Sequence, residues 1–199
     1  YCARVSNPDN QNNSKTAPGL LKYLIKHGHW SPFEMVSVTL EIQTTRDISH
    51  QIVRHRSFSF QEFSQRYAEA NTYEIREARM QDPKNRQNSI KLDRRKAEDV
   101  RLSEKFNMAQ HKVISLTREV YECALENGIA KEQARSVLPE GMTGTTLYMA
   151  GTLRSWIHYC ELRMANGTQE EHADIAKECW NIIGGHFPSV REAMSDRMG

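Results

Sequence analysis

The sequence is short of several things, and each lack excludes a class of protein. No apolar run approaches the roughly 20 residues that a membrane-crossing helix requires, and mean hydropathy is −0.71. With no signal peptide ahead of the first motif, the protein is expected to be soluble and cytoplasmic, without a membrane partner. Charge of one sign is also lacking: 27 Lys and Arg stand against 25 Asp and Glu, for a net charge of +2. So even a balance does not by itself make a nucleic-acid binder. Only four cysteines are present, Cys2, Cys123, Cys160 and Cys179, and no two form a CxxC pair. A disulfide framework and a zinc site are both disfavoured, and free thiols are expected. Internal repeats and low-complexity tracts are absent as well.

What is there suits one core. At 199 residues the chain lies at the upper edge of a single domain, and residues 1–199 are taken as one. It opens on Tyr1, so the natural N-terminus is expected to lie upstream.

The patterning alternates between helix and strand. Thr16 and Pro18 open a helix through Leu20, Leu21, Leu24 and Ile25 that Gly28 ends. Ser31-Pro32-Phe33-Glu34 has the form of a capping box starting a single turn. Val36, Val38, Leu40 and Ile42 alternate with polar residues, as in a half-buried strand. Thr45 then caps a predicted helix in which Ile48 and Ile52 share a face and Arg54, His55 and Arg56 form the last turn. Ser57 to Tyr67 has no clear period, and Thr72-Tyr73 lies in a possible second strand. Asp82 to Arg95 reads as a mobile surface loop. A long amphipathic helix carries Leu102, Phe106, Ala109, Val113, Leu116, Val120 and Ala124, with Gly128 as its stop. A short helix from Lys131 to Leu138, a strand from Thr145 to Ala150, a helix from the Thr152 cap to Met164 and a last helix from Gln169 to Ile183 complete the chain. The expected class is α+β: a small, mostly antiparallel sheet packed with long helices.

The densest polar cluster is Arg54-His55-Arg56 through Ser64-Gln65-Arg66-Tyr67. On a helix Arg54 and Arg56 point in very different directions, so they would not grip one small anion together. Cations at a helix C-terminus answer its macrodipole and stay solvated on one reading. On the other, the helix end stands between two anionic ligands, with Arg66 as a third planar fork.

The same residues closely resemble the signature of flavin-dependent thymidylate synthases, Arg-His-Arg, seven residues, then Ser. His29-Trp30-Ser31-Pro32-Phe33-Glu34, Ala3-Arg4-Val5-Ser6, Ala134 to Pro139 and Leu153 to Arg163 also resemble segments of that family. The resemblance implies an FAD site lined by Ser6, His29, Ser31, Glu34, Arg54, His55, Arg56, Glu62, Thr152, Arg154 and His158. It implies dUMP held by Gln51, Ser64, Gln65, Arg66, Arg135 and Arg163, in a homotetramer whose active sites are shared between subunits. The implied reaction methylates dUMP to dTMP, with 5,10-methylenetetrahydrofolate as carbon donor and NADPH reducing FAD. Two departures stand out. Gln65 occupies a position where relatives often have Gly, and some relatives carry Asn at Thr152 and His158.

A side-chain nucleophile has no candidate. No cysteine sits in a pocket motif, and Ser64 lies in no nucleophile elbow, so Ser64 is expected to touch ligand and Arg163 to stabilise charge developing on the pyrimidine. Two rivals have weaker patterns. A nucleic-acid surface built from Arg86, Lys91, Arg94, Arg95, Lys96 and Arg101 is interrupted by Asp93, Glu98 and Asp99. A metal site built from His27, His29, His50 and His55 lacks the ligand spacing and an acidic partner, so no metal is expected.

Overall fold

Helix and strand fall close to where hydrophobic periodicity puts them. The computed structural model describes residues 1–198. In chain order the elements are α1 (Ala17–Lys26), β1 (Ser37–Thr45), α2 (Arg46–Ile52), β2 (Ser59–Glu62), β3 (Arg79–Gln81), β4 (Ser89–Lys91), α3 (Ala97–Glu126), α4 (Lys131–Ala134), β5 (Gly144–Thr152), α5 (Leu153–Met164), α6 (Glu170–His186), α7 (Pro188–Ala193) and α8 (Ser195–Met198). Gly28 and Gly128 take the left-handed conformation (φ 71° and 76°) just after α1 and α3, where it ends a helix most cheaply. The class is α+β, with a three-stranded sheet in the order β1-β5-β2 and a separate antiparallel pair β3-β4.

The chain divides into two compact units, interleaved in sequence. The first holds residues 1–40, residues 55–59 and, among the described residues, everything from Met149 onward. Its core is aromatic and aliphatic. Trp156, Ile157, Tyr159 and Cys160 of α5 are buried, as are Ala176, Cys179, Trp180 and Ile183 of α6, and the two helices pack together. Full burial of a large side chain of this kind contributes about 1.5–3 kcal/mol. The Trp156 indole N–H is not orphaned by burial, because it donates to the Val38 carbonyl at 3.0 Å. Helix α1 packs against α7 in the same unit.

The second unit holds Glu41–Arg54 and Phe60–Tyr148. Its interior is more polar. Ile42, Ile48, Ile52 and Leu147 are buried, and so are Thr44, Thr45, Ser49, Gln110, Thr117, Thr143 and Thr145. Buried polar groups need partners, and Gln110 shows how they are met here: its Oε1 accepts from the Arg76 backbone N–H at 2.8 Å, and its Nε2 donates to the Arg76 carbonyl at 3.0 Å. The Arg76 guanidinium donates in turn to Asp47 at 2.8 Å and to the Gly141 carbonyl at 3.3 Å. A second cluster joins Ala70, Tyr121, Ala134 and Leu138.

Several expectations need correction. Helix α2 stops at Ile52, so Arg54, His55 and Arg56 lie beyond its end rather than in its last turn. Burial at Ile48, Ser49 and Ile52 has no apolar successor at 55 or 56 to continue that face of the helix. Thr45 occupies the cap position, yet its hydroxyl donates to Asp47 at 2.5 Å rather than accepting from the helix. Ser31 likewise makes no capping bond, and its turn is a 3-10 helix. The aperiodic stretch after Arg56 contains strand β2, too short at four residues to show a period. Tyr73 forms only an isolated bridge with Thr143. Within Asp82 to Arg95 lies β4, paired to β3 through Arg79↔Lys91, Met80↔Ile90 and Gln81↔Ser89. The Asp82 carboxylate closes that hairpin by accepting from Lys84 N and Asn85 N at 2.8 and 3.1 Å, an Asx turn whose composition reads as plain loop.

Candidate active site

The last turn of α5 carries the most tightly specified of the expected site residues. Helix α5 starts where the pattern places it: the Thr152 hydroxyl accepts from the Ser155 N–H at 3.3 Å. Eleven residues on, Arg163 donates from Nε to Nε2 of His55 at 2.8 Å. A ring nitrogen that accepts carries no proton, so His55 is the Nδ1–H tautomer in this arrangement. Burial, with help from the Arg163 charge, pushes the His55 pKa down to about 4 and keeps the imidazole neutral at pH 7. The two terminal nitrogens of Arg163 make no hydrogen bond among the described residues, so the planar fork stays available to an anionic or carbonyl oxygen.

Other expected residues of the first unit fall into pairs. Arg154, on the first turn of α5, makes an ion pair with Glu34. The His158 ring lies 4.4 Å from that of Trp30, with the planes tilted by 57°, and burial lowers its pKa. The His29 ring lies 6.4 Å from that of His27. Ser31 and Arg56 are exposed. Ser6 is exposed too, at the rim of an open cavity of about 730 Å³ that Arg4, Lys15 and Thr16 help line. Guanidinium, imidazole and hydroxyl groups are donors of the kinds that suit a flavin dinucleotide, whose diphosphate and ring edge accept.

The second unit holds the remaining expected residues. Arg66 and Arg135 converge on one residue: Arg66 Nη2 lies 3.1 Å from the Glu132 carboxylate, and Arg135 Nε donates to the Glu132 carbonyl at 3.4 Å. The Ser64 hydroxyl accepts from the Arg66 N–H at 3.4 Å. Gln65 is 4% exposed, and its side-chain Nε2 has no hydrogen-bond partner among the described residues. A buried amide left in that state costs about 1–3 kcal/mol, which a carbonyl or phosphate oxygen of a nucleotide would offset. Gln51 is half-buried on α2, and Arg54 is exposed. Glu62 is half-buried, and its Oε1 accepts from Ser49 at 2.9 Å, Thr145 at 3.0 Å and Arg46 at 3.4 Å.

The rival readings gain little from the geometry. Arg95 is paired with Asp93 at 3.0 Å and Arg94 lies 4.0 Å from Glu77, which disperses the basic stretch. Among the described residues no three His, Cys, Asp or Glu side chains converge as a metal would need. His50 pairs with Glu140 at 3.2 Å.

Sequence reasoning overlooked two buried polar residues. Tyr159 and His172 are 1% and 0% exposed, and the Tyr159 hydroxyl is 3.1 Å from His172 Nε2. A signal existed: His172 falls in register with Ala176, Cys179 and Ile183 on the apolar face of α6.

Comparison with known proteins gives the chain its family. A family model described as thymidylate synthase complementing protein matches residues 1–189. The chain is 54% identical over 195 residues to a probable flavin-dependent thymidylate synthase of Paramecium bursaria Chlorella virus 1, covering 98% of this chain and 88% of that one. It is 53% identical over 196 residues to a flavin-dependent thymidylate synthase of Synechocystis, covering 98% and 86%. Among solved structures, the UMP/dUMP methylase PolB of Streptomyces cacaoi bound with 5-Br dUMP superposes with a TM-score of 0.81 at 25% identity, over 98% of this chain and 87% of that one. A match running from Tyr1 to Ser189, over a fold shared with a nucleotide methylase, means that this chain belongs to the thymidylate synthase complementing protein family.

Proposed function

We propose that the protein is a flavin-dependent thymidylate synthase, converting dUMP to dTMP with 5,10-methylenetetrahydrofolate as carbon donor and NADPH as the source of reducing equivalents. The relatives' names support this, and one observation in the chain carries it: Arg163 is held through Nε by a neutral His55, with its fork left for a ligand oxygen.

In this reading His55, Arg56, Arg154 and His158 help to hold FAD, which when bound supplies hydride for the reduction. Gln51, Ser64, Gln65, Arg66 and Arg135 bind the nucleotide. Arg66 and Arg135 are suited to its phosphate, because a guanidinium stays charged and meets two oxygens at once. The buried Gln65 amide is suited to a carbonyl or phosphate oxygen. Arg163 stabilises negative charge developing on the pyrimidine carbonyl, a role in which one well-placed donor contributes several kcal/mol. Ser64 touches ligand without attacking it, since no base lies within hydrogen-bond reach among the described residues.

Assembly as a homotetramer belongs to the same proposal. Leu102, Phe106, Val113, Leu116 and Val120 form a stripe along α3, yet each is 42–62% exposed within the chain. A contiguous apolar face of that length marks an interaction surface, and a second copy of the chain is the partner the family implies.

The purified protein should show the yellow absorption bands of bound FAD. It should release tritium from C5 of labelled dUMP only when methylenetetrahydrofolate and NADPH are both present. A colourless protein that binds no added FAD, or tritium release without the folate, would overturn the proposal.

A further inference from the structure

We infer that Tyr159 and His172 are positioning residues for Arg163, acting through the ring of His55. The inference rests on the function proposed above.

The four side chains form a relay inside the first unit. His172, in the first turn of α6, meets the Tyr159 hydroxyl at 3.1 Å through Nε2. The Tyr159 ring meets the His55 ring edge to face, with centroids 4.9 Å apart and planes at 86°. His55 then accepts from Arg163 at 2.8 Å. Tyr159 has little freedom to turn, because Trp156 and Phe58 stand against it at 5.8 and 5.9 Å. The hydroxyl bond to His172 tethers the far end of the ring and so fixes the direction in which the side chain points.

The chemistry of the pair argues for a purpose beyond packing. Placing a phenol and an imidazole where exposure is 1% and 0% costs desolvation that hydrogen bonding has to offset. An apolar pair of the same volume would fill this core as well. What the polar pair adds is direction: a ring locked at both ends gives His55 one orientation, which holds its Nε2 where Arg163 Nε donates to it, and that bond selects the Nδ1–H tautomer. Burial first, and the nearby Arg163 charge second, push the His172 pKa down to about 4, so both imidazoles remain neutral at pH 7.

The test compares His172→Leu, His172→Gln and Tyr159→Phe with the wild-type holoenzyme. Glutamine places an amide where Nε2 stood, whereas leucine and phenylalanine only fill space. Calorimetry should find dUMP binding weakened about tenfold in His172→Leu and Tyr159→Phe, the scale expected for a charged donor slightly out of place, and restored to within about twofold in His172→Gln. The FAD bands should persist in all three. In ¹⁵N spectra of labelled imidazoles, His55 should be a single Nδ1–H tautomer in the wild type and His172→Gln, and a mixture in the other two. Should His172→Leu fail to fold, Tyr159→Phe, which removes one oxygen, carries the test alone. Wild-type dUMP affinity in Tyr159→Phe, an unchanged His55 tautomer, or failure of glutamine to rescue would overturn the inference. Wild-type protein that binds no dUMP at all would instead overturn the proposed function, while the His55 spectra would still report on the relay.

Discussion

Gly151 and Phe58 are in contact so close that no other residue fits at 151: a Cβ built on Gly151 would lie 2.4 Å from Cδ1 and 2.6 Å from Cε1 of the Phe58 ring. That ring is backed in turn by Trp156 at 4.9 Å, which restricts how far it can swing away. Gly151→Ala should therefore lower unfolding stability by about 1–3 kcal/mol, the usual cost of overpacking. A urea denaturation midpoint equal to wild type would show that Phe58 yields more easily than its neighbours imply.

Arg163→Ala should reduce dTMP formation by about 10²–10³-fold, as loss of a donor aimed at developing charge does. Oxidation of the reduced flavin by oxygen should change far less, because that reaction involves no pyrimidine. Rapid-mixing measurements of both rates on one preparation decide the matter, and equal losses would remove Arg163 from the role assigned to it.

Acid should weaken the fold before it reaches the carboxylates. His55 and His172 are held near pKa 4 against an ordinary value of 6.5. Between those values the unfolded chain binds protons that the folded chain refuses, so folding stability rises with pH across this range. The contribution is complete above about pH 6.5 and is lost progressively as pH falls towards 4. Denaturation midpoints taken from pH 7.5 to 4.5 should decline from just below pH 6.5, and the decline should be shallower in His172→Gln. A flat profile would mean that these imidazoles accept protons in the folded state.

Leu116 is 62% exposed on α3, so Leu116→Glu should cost the isolated chain little. In an assembly sealed by that stripe, a buried unpaired carboxylate is strongly unfavourable. Sedimentation velocity should show the variant as smaller species than the wild type. An unchanged sedimentation coefficient would direct attention to another face.

Gln110→Ala should cost about 2 kcal/mol, because it leaves the Arg76 N–H and C=O without the partners that Gln110 supplies. Hydrogen exchange at the Arg76 amide should accelerate more than at Tyr121, which shares helix α3 with Gln110. Equal acceleration would indicate general loosening rather than loss of this bridge.

The long elements were legible because their cause is local. Hydrophobic spacing placed α3, α5 and α6, the alternation of β1 appears in its burial, and Gly28 and Gly128 stop helices where expected. The shorter pieces were not. Strand β2 has four residues, and β4 is held by the Asp82 turn rather than by apolar alternation, so neither carries a period to detect.

The arginine-rich signature was visible as a string of residues, and its resemblance to a family needed no coordinates. Its geometry was a different matter. A one-dimensional pattern places Arg54, His55 and Arg56 side by side, whereas the fold assigns His55 to Arg163, residues 108 apart in the chain. Amphipathicity likewise announced the α3 stripe without saying that the chain itself leaves it uncovered.

From its order alone, then, the chain determined its family, its helices and the types of side chain that bind anions, since periodicity and residue chemistry act over a few neighbouring positions. Only the tertiary structure decided which imidazole meets Arg163, that Tyr159 and His172 stand behind it, and that Glu62 turns towards Ser49 and Thr145. Such contacts join residues distant in sequence, and burial decides them because a polar group taken out of water must find whichever partner the packing brings within reach.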